Sequence, residues 1–575
     1  MKHLTTYGMS SFESVMSDKR YYVDKTMYIE KLEQVKYPIF LRPRRFGKSL
    51  FTETLRWYYD IKAAHRFDEL FGNLYIGKKP TQRKNSYFFL KLDFSGMGNW
   101  IEGDKNSIRN LFNQKIATSL TFFLFHYADL LKLDDNFINN LSINYKDNAT
   151  GALEFAIGQV NKVSGKMFIA IDEYDSLTNA MALYYKDADE SENEYLNILK
   201  KNGFFRAFFE TIKAGTASAV DQVYITGILP ITIADMNSGF NIATWITFDR
   251  RFSSMLGITH NEFEQLIDSI TNDYNISHNK ESIQNISKRY YNGYKFHEKG
   301  ELVYNPMMSM YLLDNLMHFD ELPENLIDNN LRIDFNQLSY IFGNNTEHRN
   351  KIIKALTENK EYEFNSDLRV SFDMNAYREG KFITEGLYYS GILTFSDNSS
   401  YLKIPNLVTY EFMLTYFNRI MDFNTSGILL TKIVSEYIRF ADVNTLIKNF
   451  FQLVIQKYPG DFFKNVNESF YHGLLFYILW NTMPKDCYEV LTEYQVTTGQ
   501  VDIMVRSLPG ARVAAQLQDL FELKRVAKHA KEAEFAAQFH SAKDEMKLYK
   551  TGDFAQWRGV AVCFRGNKDF RMEVS

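Results

Sequence analysis

Four short runs of nearly unbroken apolar residues punctuate the first 240 positions: YPIFLR (37–42), YFFLKLDFS (87–95), KMFIAIDEYD (166–175) and QVYITGILPI (222–231). Each reads as a strand that closes on polar or small residues. Strands that are apolar throughout, not at every second position, need cover on both faces, and this is a property of parallel sheets flanked by helices. The intervening stretches supply such cover, with helices expected at SLFTETLRWYYD (49–60) and SIRNLFNQKIATSLTFFLFHYADLLKL (107–133). The alternation predicts an α/β domain with a mainly parallel sheet.

The chain has 575 residues, too many for one core, so three or four domains of about 100 to 200 residues each are expected. From about 260 to 460 the text turns helical and Asn-rich, interrupted by turn-like NGYKF (292–296) and VYNP (303–306). A boundary is expected near 440 to 460, where a helical segment ends in KYPGD. The net charge of −4 rules out a general coat of basic charge, so any nucleic-acid contact must be local. Cys487 and Cys563 have no zinc spacing and little scope for a disulfide framework, which fits a reducing compartment. The N-terminus lacks an apolar signal core, and runs such as LLFYILW (474–480) are too short to span a bilayer, so the cytoplasm is expected and no membrane.

The first run leads into RPRRFGKSLF (42–51), which nearly spells the phosphate-binding pattern G-x-x-x-x-G-K-[ST] in its required setting of strand, tight turn and helix. Gly47, Lys48 and Ser49 are present, whereas Arg42 stands where the first glycine belongs. Arg45, Phe46, Gly47, Lys48 and Ser49 form the nucleotide-facing stretch: backbone N–H groups and the helix end face an anion, Lys48 meets the β and γ phosphates, and the Ser49 hydroxyl ligates Mg²⁺. KMFIAIDEYD supplies the expected partner, with Asp172 for Mg²⁺ and Glu173 to orient the attacking water. Thr226, near the end of a third strand, is the candidate polar sensor between them. Arg44 and Arg45 stay open between γ-phosphate chemistry, an oligomer neighbour and a plain acidic surface.

A second constellation lies near the C-terminus, in GQVDIMVRSLPG and DLFELKRV, two strands joined by a turn. A strand projects Glu522 and Lys524 on one face because they differ by two. Asp502 and Glu522 then bind Mg²⁺, and Lys524 orients or deprotonates a water for phosphodiester attack. In the upstream helix NESFYHGLLFYILW, Glu468 and His472 share a face by their i, i+4 spacing, which makes Glu468 an extra catalytic candidate. A later helix, KHAKEAEFAAQFHSAKDEMKLY, carries Gln538 and several lysines suited to a phosphate backbone.

YVDKT (22–26), RPRRFGKS, FIAIDEYD, ITGILPI, NGYKF with VYNP, and ESFYH followed by VDI and ELK resemble, in that order, the prokaryotic AAA-ATPase-like proteins with a C-terminal PD-(D/E)XK nuclease domain. The resemblance implies an α/β chain in three parts. They are a P-loop ATPase domain with a parallel sheet over 1–255, a mainly helical lid or coupling region over 256–445, and a C-terminal α/β restriction-endonuclease-like domain over 446–575. Members commonly read RPRRFGKS, so Arg42 is ordinary among them. The resemblance further implies ATP and Mg²⁺ as cofactors, and nucleic acid as partner, DNA ahead of RNA; oligomerisation stays open. Gln500 stands where the family usually has an arginine. Two functions follow: an Mg²⁺-dependent nuclease gated by ATP, in defence or mobile-element biology, or an ATP-switched binding module whose nuclease-like domain does not cut.

Overall fold

The computed structural model describes residues 3–96, 105–176, 203–230, 239–323, 381–398, 400–410, 427–457, 468–484, 487–496 and 498–575, with a few isolated positions between them. The chain divides into two compact units: Met1–His348 with Phe364–Thr409, and Arg349–Glu363 with Tyr410–Ser575. Residues of the helical region expected over 256–445 fall in both units. Polar side chains of the N-terminal segment draw its first helices into the first unit: Lys25 donates to Glu262 at 2.7 Å, Tyr21 to Asp273 at 2.5 Å and Thr5 to Asp314 at 2.6 Å. Its last helix, Gly427–Phe440, belongs to the second unit, where Tyr437 donates to Asp519 at 2.5 Å.

The first unit is built on β1 (Pro38–Leu41), β2 (Phe88–Asp93), β3 (Met167–Asp172), β4 (Val220–Gly227) and β5 (Thr244–Trp245), in the order β2-β3-β4-β1-β5 with every pair parallel. β1 and β3 are buried along their whole length, as their unbroken apolar runs require. Helix α1 (Lys48–Tyr59) follows β1 and buries Phe51, Leu55, Tyr58 and Tyr59, spaced as one face of a helix. Tyr59 stacks on Phe168 of β3 at 4.8 Å and Phe168 on Phe89 of β2 at 5.0 Å, which seats that face on the sheet. The other helices include α2 (Lys105–His126), α3 (Ala149–Lys162) and α4 (Phe204–Gly215). The helix expected to run to 133 ends at His126, where Tyr127 leaves helical angles (φ −109°, ψ +17°), and a single turn resumes over Ala128–Leu131. Because all five strands are parallel, the exits of β1, β3 and β4 lie on one rim, where ligands of open α/β sheets bind.

The second unit contains α5 (Glu468–Thr482), β6 (Tyr488–Val496), β7 (Gly499–Ser507), β8 (Gln518–Val526), α6 (Glu532–Tyr549), β9 (Arg558–Arg565) and β10 (Asp569–Val574). The strands lie in sequence order, antiparallel except for the parallel pair β8–β9. That pair needs a crossover, and α6 provides it, packing Ala542, Met546 and Tyr549 against Leu491, Met504, Leu520 and Ala561. On the opposite face of β9, Phe564 stacks on Tyr471 of α5 at 4.6 Å. Among the described residues no helix is long and apolar enough to cross a membrane.

Candidate functional site

The loop from Arg42 to Ser49 has a front and a back. At the front, Gly47 caps α1 in a left-handed conformation, φ +87°, with open space where a Cβ would sit, so glycine is required by the backbone angle and not by crowding. Lys48 opens the helix, and its buried ammonium donates to the Arg42 and Pro43 carbonyls of its own loop at 3.0 and 2.9 Å. Burial pulls its pKa down to about 8, against the opposing pull of Asp172, Asp175 and Glu173. A buried cation held by neutral carbonyls favours the arrival of an anion, and the free N–H groups of the first helical turn point the same way.

At the back, Arg42 faces away from the rim. Its buried guanidinium lies between the rings of Phe40 and Phe296, 4.1 and 4.2 Å from their centroids, and donates to the carbonyls of Leu41 (2.8 Å), Thr247 (3.0 Å) and Phe252 (3.1 Å). It stitches the loop to the segment after β5. Phe46 is likewise core, edge-on to Tyr294 at 4.9 Å and Phe296 at 5.2 Å, so only its backbone is left for a ligand. Arg44 and Arg45 are exposed, Arg45 with φ +68°.

Asp172 ends β3, and the Ser49 side chain stands near enough to offset part of the burial effect on its carboxyl, so the loop and the acid face each other. The same carboxylate accepts the Glu173 N–H at 3.0 Å. Burial pushes both acids above the usual carboxylate range, and for Glu173 the Asp172 charge adds to it. Glu173 holds φ +51°, a strained angle for a residue with a Cβ. Thr226 lies between the two strands, but its hydroxyl donates to the Phe40 carbonyl at 2.8 Å, so that proton is already spent in joining β4 to β1. Beside Gly47 opens a cavity of about 70 Å³ lined mainly by apolar side chains, among them Tyr22, Val23, Leu50, Leu256, Ile258 and Met310, with Lys25 at its edge.

In the second unit, Asp502 and Glu522 sit on neighbouring antiparallel strands, one step beyond the Ile503–Phe521 pair. Asp502 accepts the Leu523 N–H at 2.7 Å, and its other oxygen lies 3.8 Å from His472 Nδ1 on α5. Lys524 reaches Glu522 at 2.8 Å, on the shared face that the strand period predicts. Glu522 is buried, and its Oε2 has no hydrogen-bond partner. Burial, then the Asp502 charge, pushes its pKa up to about 9. An orphaned carboxylate oxygen beside a second carboxylate fits a hard divalent cation. No group of three or more His, Cys, Asp or Glu side chains among the described residues forms a ready metal cage. Two carboxylates completed by water and substrate phosphate is the usual arrangement for Mg²⁺. Glu468 opens α5, but its side chain lies outside the described residues; Gln500 and Gln538 are exposed.

Residues 6–237 match the model of a family described as "Predicted AAA-ATPase". This stretch is similar to that family, and the match takes in the phosphate loop, the acid pair and β1 to β4, which suggests nucleotide binding. An "Uncharacterized protein in vnfD 5'region" of Azotobacter chroococcum mcd 1 is 24% identical over 302 residues, 52% of this chain and 49% of that protein. The chain thus spans about half the length of this curated relative. No solved structure matches the chain.

The rim of the first unit holds residues that local pattern did not single out. Asp93 ends β2 directly opposite Asp172 in the ladder, and its charge adds to the upward push on both acids. The sign in the text is the rhythm of YFFLKLD, which closes on Asp as FIAID does. Lys91 pairs with Glu53 of α1 at 2.8 Å. Asp175 accepts the N–H groups of Ile228 (3.1 Å) and Leu229 (2.8 Å), tying the acid loop to the exit of β4. In the second unit the unforeseen member is Glu545 of α6, 3.0 Å from Lys524.

Proposed function

We propose that the N-terminal unit binds ATP with Mg²⁺ and hydrolyses it. One observation carries this reading: Ser49 and the buried Lys48 ammonium both stand close enough to Asp172 to act on its carboxyl, three groups from two distant motifs. Lys48 exchanges its loop carbonyls for the β and γ phosphates, while the N–H groups of the first turn of α1 hold the phosphate chain. Ser49 and Asp172 would hold Mg²⁺, which neutralises charge gathering on the phosphates. Glu173 orients the attacking water. Nucleotide binding should be lost in Lys48→Ala, and turnover, with binding kept, in Glu173→Gln. Binding that survives Lys48→Ala unchanged sinks the assignment.

For the second unit the reading is an Mg²⁺-dependent nuclease, DNA ahead of RNA, whose cutting follows the nucleotide state of the first. Asp502 and Glu522 would hold the metal, and Lys524 orients or deprotonates the water. The orphaned Glu522 oxygen supports it. Cytoplasmic host defence or mobile-element maintenance suits such a chain, acting alone or as a homo-oligomer. Plasmid cleavage with Mg²⁺ or Mn²⁺, with and without ATP, comparing wild type with Glu522→Ala, is the test; DNA and RNA left intact by wild type in every condition end the claim. A second reading, a docking module that does not cut, is favoured by the exposed Gln500 where an arginine is usual and by the net charge of −4.

A further inference from the structure

We infer that Glu545 of α6 is the positioning residue of Lys524, the group that keeps its ammonium at the cluster once Glu522 is engaged by a cation. The inference rests on the Mg²⁺-dependent reading of Asp502 and Glu522. Among the carboxylates that Lys524 meets, two lie on different elements, Glu522 Oε1 on its own strand at 2.8 Å and Glu545 Oε2 on the crossover helix at 3.0 Å. A lysine ammonium is a point charge on a flexible stem, so its place is set by its anchors and not by its own shape. A divalent cation at Glu522 takes over that carboxylate and weakens its hold on a neighbouring ammonium. Glu545, on a different element, is an anchor that the cation leaves in place.

Glu545 is itself fixed. Its Oε1 accepts the Ser541 hydroxyl at 2.9 Å, and the Tyr549 hydroxyl lies 3.4 Å from Oε2. Ser541, Glu545 and Tyr549 recur every four residues, so one helical face carries all three. Tyr549 is packed in the core under α6, and that packing locates the face against β8. Docking of the helix does not call for the ion pair: Phe535, Ala542, Met546 and Tyr549 are buried, while the Glu545 side chain is 34% exposed. A partly exposed pair adds little to stability. Its geometric effect is larger, because it fixes one mobile ammonium next to a buried carboxylate oxygen that lacks a partner.

The experiment uses the full chain and an amine-acylating reagent at one fixed pH, with the rate at Lys524 read by mass spectrometry in EDTA and in Mg²⁺. Wild type should label slowly in both. Glu545→Gln should label about fivefold faster in Mg²⁺ and less so in EDTA, where Glu522 still holds the ammonium. Ser541→Ala, which loosens Glu545 without removing it, should fall between. Asp544→Asn, on the exposed Asp544–Lys547 pair of the same helix, should leave the rate unchanged. If wild type cleaves DNA, Glu545→Gln should lower kcat about tenfold with KM unchanged. Equal labelling of Lys524 in wild type and Glu545→Gln overturns the inference. So does a Glu545→Gln variant that needs more Mg²⁺ for thermal stabilisation while Lys524 labels as in wild type, since Glu545 would then be a metal ligand. Labelling that changes as expected in a protein that cuts no nucleic acid upholds the anchor and removes the nuclease reading instead.

Discussion

Arg42 illustrates what one position can hide. As text it is a phosphate loop with its first glycine missing; as a side chain it is a buried strut with three carbonyl acceptors and an aromatic ring on each side. Nothing in RPRRFGKS distinguishes the arginine that turns inward from the two exposed ones beside it, because all its acceptors but the neighbouring Leu41 carbonyl come from the segment around Thr247 and Phe252, some two hundred positions downstream. That Gly47 caps a helix opened by Lys48 was legible, since it follows from the loop's own backbone. Restoring the glycine by Arg42→Gly should therefore cost about 3 kcal/mol or more in denaturant unfolding and bring no gain in ATP affinity by calorimetry. Arg42→Lys should not rescue stability, because one ammonium cannot serve both the carbonyl fork and the stacked rings. Glu53 makes a pH prediction at the same scale. Burial alone would raise it, but Arg56 at 2.9 Å and Lys91 at 2.8 Å hold its carboxyl below the ordinary range. A lowered folded pKa gives stability that is present above the unfolded value near 4.5 and is lost as pH falls through the folded one. Wild type should exceed Glu53→Gln by about 1 kcal/mol at pH 7, and thermal unfolding should show the gap closing as the pH falls below 4.5.

At the scale of elements, strands buried on both faces announced themselves, as did the Glu522–Lys524 pairing, which needs only the two-residue period of β8. The order β2-β3-β4-β1-β5 could not be read from the text, since it depends on which strand each helix crosses to. Glu545 escaped for a related reason: its partner lies across a helix–sheet interface. The join between the acid loop and the exit of β4 was equally silent, although Gly227 marks it. A Cβ there would stand 2.4 Å from Asp175 Oδ1 and 2.6 Å from the Tyr174 ring. Gly227→Ala should destabilise by about 2 kcal/mol in urea unfolding and slow ATP turnover, because Asp175 must shift and Asp172 and Glu173 are on the same loop. An alanine variant with unchanged stability and turnover would mean the two segments move independently.

The molecule as a whole departs furthest from its text. A run of helices between two α/β regions reads as a separate coupling domain, yet its polar side chains are partnered on one side by the N-terminal segment and on the other by the C-terminal sheet. A fragment beginning at 446, the expected boundary, should be insoluble or melt well below one beginning at 410. It loses Tyr437 and the Ala441 carbonyl, and with them the completion of the buried Asp519–Arg558 pair. Comparable melting of the two fragments, followed by circular dichroism, would show the helix Gly427–Phe440 to be dispensable. The division of the chain also bears on its ancestry. The polypeptide leaves the first unit after His348, returns at Phe364 and leaves again after Thr409, so three peptide links join the two units. No single cut in the chain, and so no single recombination breakpoint, separates the two units intact.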